Sequence, residues 1–305
     1  MLTLQAALRG LLVDLELTQA ERERIDARLT ELRGRLAARL PVDEFVCAGA
    51  YARGVAVRPR VDVDVFVALR PGEGITPSTS PGLALEALVE AVEGRIRGAR
   101  TRWGARSVTV RFAGSSIIHH LIPARAEDDE IYMIPDDGAR RWIPAAPRIH
   151  AAKASAANRR AGDKLRPLVK AIKHANNEQG RIARPFHLEA LAWQVLTDNP
   201  GTFVDGLVLL LDGLAQRICE RCPDPAGLGP DLQPSPERCR AAQGWLTELA
   251  ESVRRARSLD AMARRGEAQR LMRGIFGAAW PGRARAAGRR LYEERRMPGA
   301  AVERG

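Results

Sequence analysis

The sequence predicts an α+β protein: a mixed sheet with covering helices, followed by a helical lobe. Three observations carry that expectation. Valines alternate with other residues from Val61 to Val67, the period-two signature of a strand with one buried face. Apolar residues recur every three or four positions across 18–40, the signature of an amphipathic helix. Beyond residue 151 the strand patterns stop and helical periodicity takes over. The 305 residues, 45% of them hydrophobic, suit about two cores on a prior of ~150 residues per domain. The expected division is 1–150, 151–282, and a basic, poorly periodic and flexible tail over 283–305.

The elements follow in order. In the helix over 18–40, Ile25, Leu29, Leu32, Leu36 and Leu40 form one face, Thr18 with Glu21 has capping-box form, and Pro41 ends it. Strands are expected at 44–48 and 61–68. Residues 71–81 are rich in Gly, Pro, Ser and Thr and read as a loop. A helix is expected over 83–97, with Leu85, Leu88, Val89 and Val92 on one face, then strands at 107–112 and 116–122. The helical half offers 164–176, 187–197, 204–222, 236–258 and 259–276, with a Pro/Gly-rich connection over 223–236. No internal repeat is visible.

Net charge is +11, which favours an anionic partner, a nucleotide or a nucleic acid. Only four cations are lysine (153, 164, 170 and 173), so the charge is nearly all arginine, a pattern that genomic base composition also produces. Nucleic-acid binding is therefore permitted rather than required. Arg9, Asp14 and Glu16 interrupt the opening residues, and no apolar run approaches the ~20 residues that span a bilayer. A soluble cytoplasmic protein with no membrane partner is expected. Cys219 and Cys222 have zinc-knuckle spacing and Cys239 offers a third ligand, but no fourth is evident, so plain thiols are the favoured reading.

The chemistry points to the segment Ala48-Gly49-Ala50-Tyr51-Ala52-Arg53-Gly54, a glycine turn between two strands. In the second strand, alternation puts Asp62 and Asp64 on one face and the valines on the other. Two adjacent carboxylates repel unless a cation lies between them, and a divalent metal carrying nucleotide phosphates is the usual answer.

A small-residue turn followed by Asp-x-Asp resembles the nucleotidyltransferase superfamily that includes DNA polymerase β. Further segments narrow the resemblance. They are Ser107-Val-Thr-Val-Arg-Phe112, Ile118-His-His-Leu-Ile-Pro-Ala124, Tyr132-Met-Ile-Pro-Asp136 and Trp142-Ile-Pro-Ala-Ala-Pro147 with His150. Leu165-Arg-Pro-Leu-Val-Lys-Ala-Ile-Lys173, Phe186-His-Leu-Glu189, Asp224-Pro-Ala-Gly-Leu-Gly229 and Ile275-Phe-Gly277 through Trp280-Pro281 follow. Over residues 20 to 281 this order is similar to the bacterial CD-NTases, relatives of cyclic GMP–AMP synthase and oligoadenylate synthetase.

The resemblance implies a polymerase β-like core and a helical lobe joined by a long N-terminal spine helix, with the site between them. It implies transfer of NMP from NTP to a ribose hydroxyl, giving a cyclic oligonucleotide that activates a downstream effector in anti-phage defence. Asp62 and Asp64 would be catalytic metal ligands for Mg²⁺ or Mn²⁺. Gly49, Ala50 and Lys173 would contact the triphosphate.

Three positions depart from the family pattern: Ala50 replaces a serine, Val55 a threonine, and His120 the third aspartate, at a catalytic position. Imidazole is a poor magnesium ligand and a better one for manganese. Two readings follow: an active enzyme with a changed metal site, or an inactive pseudo-nucleotidyltransferase that binds a nucleotide or a protein partner as sensor or regulator.

Overall fold

A computed structural model describes residues 1–70 and 79–281. Most of the expected 71–81 loop and the tail over 283–305 lie outside them.

The chain opens with a helix that periodicity did not single out, α1 (Leu4–Asp14), with Thr3 as N-cap. Next comes α2 (Gln19–Ala37), where Thr18 and Glu21 form the expected capping box. Then follow β1 (Val42–Ala48), the single turn α3 (Gly49–Ala52), β2 (Val61–Leu69) and α4 (Pro81–Val92). The core continues with β3 (Ala99–Trp103), β4 (Val108–Phe112), β5 (Ile117–Ala126), β6 (Tyr132–Pro135) and β7 (Trp142–Ala145). The helical half comprises α5 (Pro147–Arg160), α6 (Leu165–Glu178), α7 (Pro185–Val195), α8 (Phe203–Arg217), α9 (Pro236–Ala261) and α10 (Arg265–Phe276). The helix expected to reach residue 97 ends at Val92, because Gly94 takes a positive φ of 65° just beyond it.

Strands pair in the order β1-β2-β5-β4-β3, and the β6–β7 hairpin attaches to β5. The β2–β5 pair is parallel and its neighbours are antiparallel. Val61, Val63, Val65 and Val67 point to one side and are buried against α2 and α4, as their alternation requires. The opposite side is covered only in part. There Phe66, Ala68, Ile122 and Ala124 pack beneath Tyr132 and Ile134 of β6. The hairpin stops short of residues 62, 64 and 120, and the cleft begins where that cover ends.

A second, larger core gathers α5 to α10 together with α1, Val55 and Val57. Thus α1 packs with the helices, while the apolar face of α2 (Ile25, Leu32, Leu36) joins the sheet core. Polar contacts tie α1 to distant elements: Leu4 N–H donates to Asp260, Gln5 accepts from Val204 N–H, and Gln269 donates to the Leu2 carbonyl. No helix among the described residues is long and apolar enough to cross a membrane.

Candidate active site

Strand β1 delivers the chain to Gly49, whose φ of +63° lies in the left-handed region. Close approach is a second constraint: a Cβ on Gly49 would stand 1.9 Å from Asp64 Oδ2. The turn therefore lies directly against the Asp64 carboxylate of β2. Gly54, also at positive φ (74°), closes the segment beneath Arg166.

Asp62 and Asp64 share the uncovered face, and register places Asp64 beside His120 on β5. His120 Nε2 lies 3.4 Å from Asp62 Oδ1, and its Nδ1 lies 3.3 Å from Thr109 Oγ1 on β4. The two carboxyls are driven in opposite directions. The hydrogen bond with His120 holds Asp62 below the usual carboxylate range, against a smaller burial penalty and with added attraction from His120, Arg181 and Arg111. Burial raises Asp64, opposed by His120 and reinforced by the neighbouring Asp62 charge. His120 is itself raised, first by that same hydrogen bond. Asp62 is thus partnered by the imidazole, while Asp64 bears the greater cost of burial.

This donor set fits a divalent cation that brings water and phosphate oxygens of its own. Among the described residues no group of three or more His, Cys, Asp or Glu side chains is gathered to hold a metal, the cysteines included. Cys222 and Cys239 are buried and Cys219 is exposed, all as free thiols.

The structure places the other expected contacts differently. The Lys173 ammonium is buried, donating to Glu189 Oε1 at 2.7 Å and to the Val55 carbonyl at 2.9 Å. Arg53 reaches the other oxygen, Oε2, at 2.7 Å and lies over the Phe186 ring. Burial alone would raise Glu189, but Lys173 and Arg53 outweigh it and hold the carboxyl low. Lys173 therefore belongs to a buried ion triad that clamps the turn after α3 onto α6 and α7. Val55 is also a correction, since its side chain is buried in the helical core rather than lining the cleft. Ala50 is half-buried and packs against that core.

Sequence reasoning missed Arg53, Glu189, Thr109 and Arg111. For Glu189 there was a signal: a carboxylate within the apolar run from Leu188 to Trp193 needs buried cations. Thr109 and Arg111 carried none, because strand pairing that was not yet known brings them to the cleft.

A glycine turn pressed against an Asp-x-Asp strand, in a mixed sheet facing a helical lobe, defines a polymerase β-like nucleotidyltransferase fold. The chain belongs to the SMODS family (Second Messenger Oligonucleotide or Dinucleotide Synthetase domain), whose model matches residues 2–158. Solved bacterial CD-NTases share the fold over nearly the whole chain. CdnG of Bradyrhizobium diazoefficiens, in complex with GTP, has a TM-score of 0.72 at 17% identity, covering 90% of this chain and 94% of that one. CdnC of E. coli MS115-1 with ATP gives 0.73 at 16%, covering 92% and 99%. The apo form of Vibrio cholerae DncV gives 0.72 at 15%, covering 92% and 96%. No curated protein matches by sequence.

Proposed function

We propose that the cleft transfers NMP from a nucleoside triphosphate to a ribose hydroxyl, making a cyclic oligonucleotide that signals to a downstream effector in anti-phage defence. The observation that carries this reading is the pair Asp62 and Asp64 on one uncovered sheet face, with the Asp64 carboxylate pressed against the Gly49 turn. The family supports it, as do the relatives seen with GTP and with ATP. In this reading segment 1–150 supplies the carboxylates and 151–282 the opposite wall.

Asp62 and Asp64 would hold Mg²⁺ or Mn²⁺. Bound there, the ion would neutralise phosphate charge and ease loss of the hydroxyl proton. The ribose oxygen bonds to the α-phosphorus and pyrophosphate leaves with the bonding pair. The protein's part is chiefly positioning and charge. Gly49 admits the Asp64 carboxylate, His120 orients Asp62, and the Arg53–Glu189–Lys173 triad fixes the turn from behind.

One observation favours a second reading, a pseudo-enzyme that binds a nucleotide or a protein without turnover. The position beside Asp64 carries an imidazole already hydrogen-bonded to Asp62, where a third carboxylate would strengthen cation binding. CdnC has been solved in complex with a HORMA protein, a precedent for a protein partner.

Incubation with the four α-labelled NTPs and either metal separates the readings. A phosphatase-resistant product lost in Asp62→Ala supports the enzyme. Well-folded protein that binds NTP and yields no product supports the sensor.

A further inference from the structure

Strand register arranges the uncovered face in two rows across four strands. One row reads Asp62, Ile118, Arg111, Arg100, and the next reads Asp64, His120, Thr109, Arg102. The Thr109–His120 and His120–Asp62 contacts show that these side chains share a face. On the other face Val108, Val110 and Phe112 are buried. The arginines therefore stand beside the carboxylates rather than behind the sheet.

Arg100 and Arg111 are direct cross-strand partners on antiparallel strands. Such partners have Cβ atoms about 4.5–5.5 Å apart, and like charges there destabilise the pair. Arg102 lies two residues from Arg100 on the same face and adds a third positive charge. All three are exposed, and among the described residues none forms an ion pair with a carboxylate. By contrast, Arg106 in the turn between β3 and β4 is paired with Asp137 at 3.4 Å. Three exposed guanidinium groups without a carboxylate partner attract an anion, and guanidinium groups chelate phosphate oxygens well.

Strand spacing sets the span. Neighbouring strands lie about 4.8 Å apart, so Arg111 stands roughly 10 Å from the carboxylate column and Arg100 and Arg102 roughly 14 Å. That offset suits one nucleotide lying across the strands, its sugar hydroxyl at Asp62 and Asp64 and its 5′ end toward the sheet edge.

We propose that Arg100, Arg102 and Arg111 form a polyphosphate-binding site for the 5′-triphosphate of the acceptor nucleotide, distinct from the donor triphosphate that the carboxylates serve. This rests on the reading of the cleft as a nucleotidyltransferase site. The site grips the end of the acceptor that does not react in the first transfer and so sets which hydroxyl meets the α-phosphorus. A nucleic-acid strand tracking the same arginines by its backbone is the competing occupant.

Inorganic tripolyphosphate, titrated calorimetrically into the full chain without divalent metal, is the first probe. The Arg100→Glu/Arg111→Glu double variant is expected to weaken a binding site at least tenfold with an unchanged melting temperature, because both positions are exposed. No measurable binding to the wild type, or equal affinity in the variant, overturns the proposal. A second arm compares short oligonucleotides of one sequence with 5′-triphosphate or 5′-hydroxyl ends. Preference for the triphosphate, lost in the double variant, is expected, whereas equal binding of both ends overturns the proposal in favour of backbone tracking. Neither arm needs turnover. A protein that makes no product yet binds tripolyphosphate through these arginines would sink the enzyme reading and leave this site standing.

Discussion

The Asp64 carboxylate occupies the space that any side chain at residue 49 would claim. Gly49→Ala is penalised twice, by a positive φ that costs ~1–3 kcal/mol for a non-glycine residue and by overlap with Oδ2. Turnover is expected to fall at least 100-fold, because the turn and the carboxylate cannot both keep their positions. A double-mutant cycle with Asp64→Ala checks the cause through urea unfolding. The stability cost of Gly49→Ala should be smaller when Asp64 is absent, and strictly additive costs would refute the steric account.

Glu189 is expected to be the most stability-sensitive charged residue of the helical half. Its two oxygens neutralise two buried cations, so Glu189→Gln strands both Arg53 and Lys173. Breaking a buried pair typically costs about 3–5 kcal/mol. Chemical denaturation should report a loss of that order, while Lys173→Met, which leaves the Arg53–Glu189 pair intact, should cost less. If Lys173 instead served only a phosphate, Lys173→Met would leave stability unchanged and reduce turnover alone.

Acid should weaken the fold through His187. Burial, with a contribution from Arg184, pushes its imidazole down to about 4, and neither ring nitrogen has a hydrogen-bond partner. The unfolded chain protonates this group near the ordinary 6.5. Between pH 6.5 and about 4 the unfolded state thus holds a proton that the folded state refuses, and stability falls as pH drops. From pH 7 to pH 5 the loss is on the order of 2 kcal/mol. His119, also lowered to about 4 by burial, contributes a second such slope. His187→Leu should roughly halve the combined dependence measured by unfolding at several pH values. An unchanged slope would show that His187 is solvated or paired in solution.

His120→Asp tests the metal preference of the cleft. An added carboxylate beside Asp64 supplies a hard oxygen donor where an imidazole now stands. The ratio of turnover in Mg²⁺ to that in Mn²⁺ should rise at least tenfold. Thr109 loses its partner in the exchange, a cost of about 1 kcal/mol in stability that is separable by melting. An unchanged metal ratio would show that residue 120 does not touch the cation's surroundings.

The sheet and its carboxylates were legible because period-two alternation is local: Val61 to Val67 fixes strand and face in one stretch. Gly49 was legible as a turn, but its packing against Asp64 was not, since that contact joins two strands. Lys173 shows why the rest escaped. A helical lysine reads the same whether it meets phosphate or a buried glutamate, and only the packing of α6 on α7 decides. Segments β3, β6 and β7 escaped as strands because none carries the apolar alternation that marks the similarly short β4: β3 is Ala-Arg-Thr-Arg-Trp, and β6 and β7 are broken by Pro135 and Pro144. Helix α1 is apolar on one face, yet its partners lie some 250 residues away.

That separation has a consequence for biosynthesis. The apolar side of α1 is sealed by α6, α8, α9 and α10, and Pro281 lies close against Gly10. Helix α1 therefore keeps part of its apolar side, formed by Leu4, Leu8, Leu11 and Leu12, uncovered until α8, α9 and α10 have been made. The sheet core has no such wait, because α2 through β5 are translated as one contiguous stretch. Vectorial synthesis thus favours a sheet half that assembles early, beside a greasy helix that α8, α9 and α10 must retrieve.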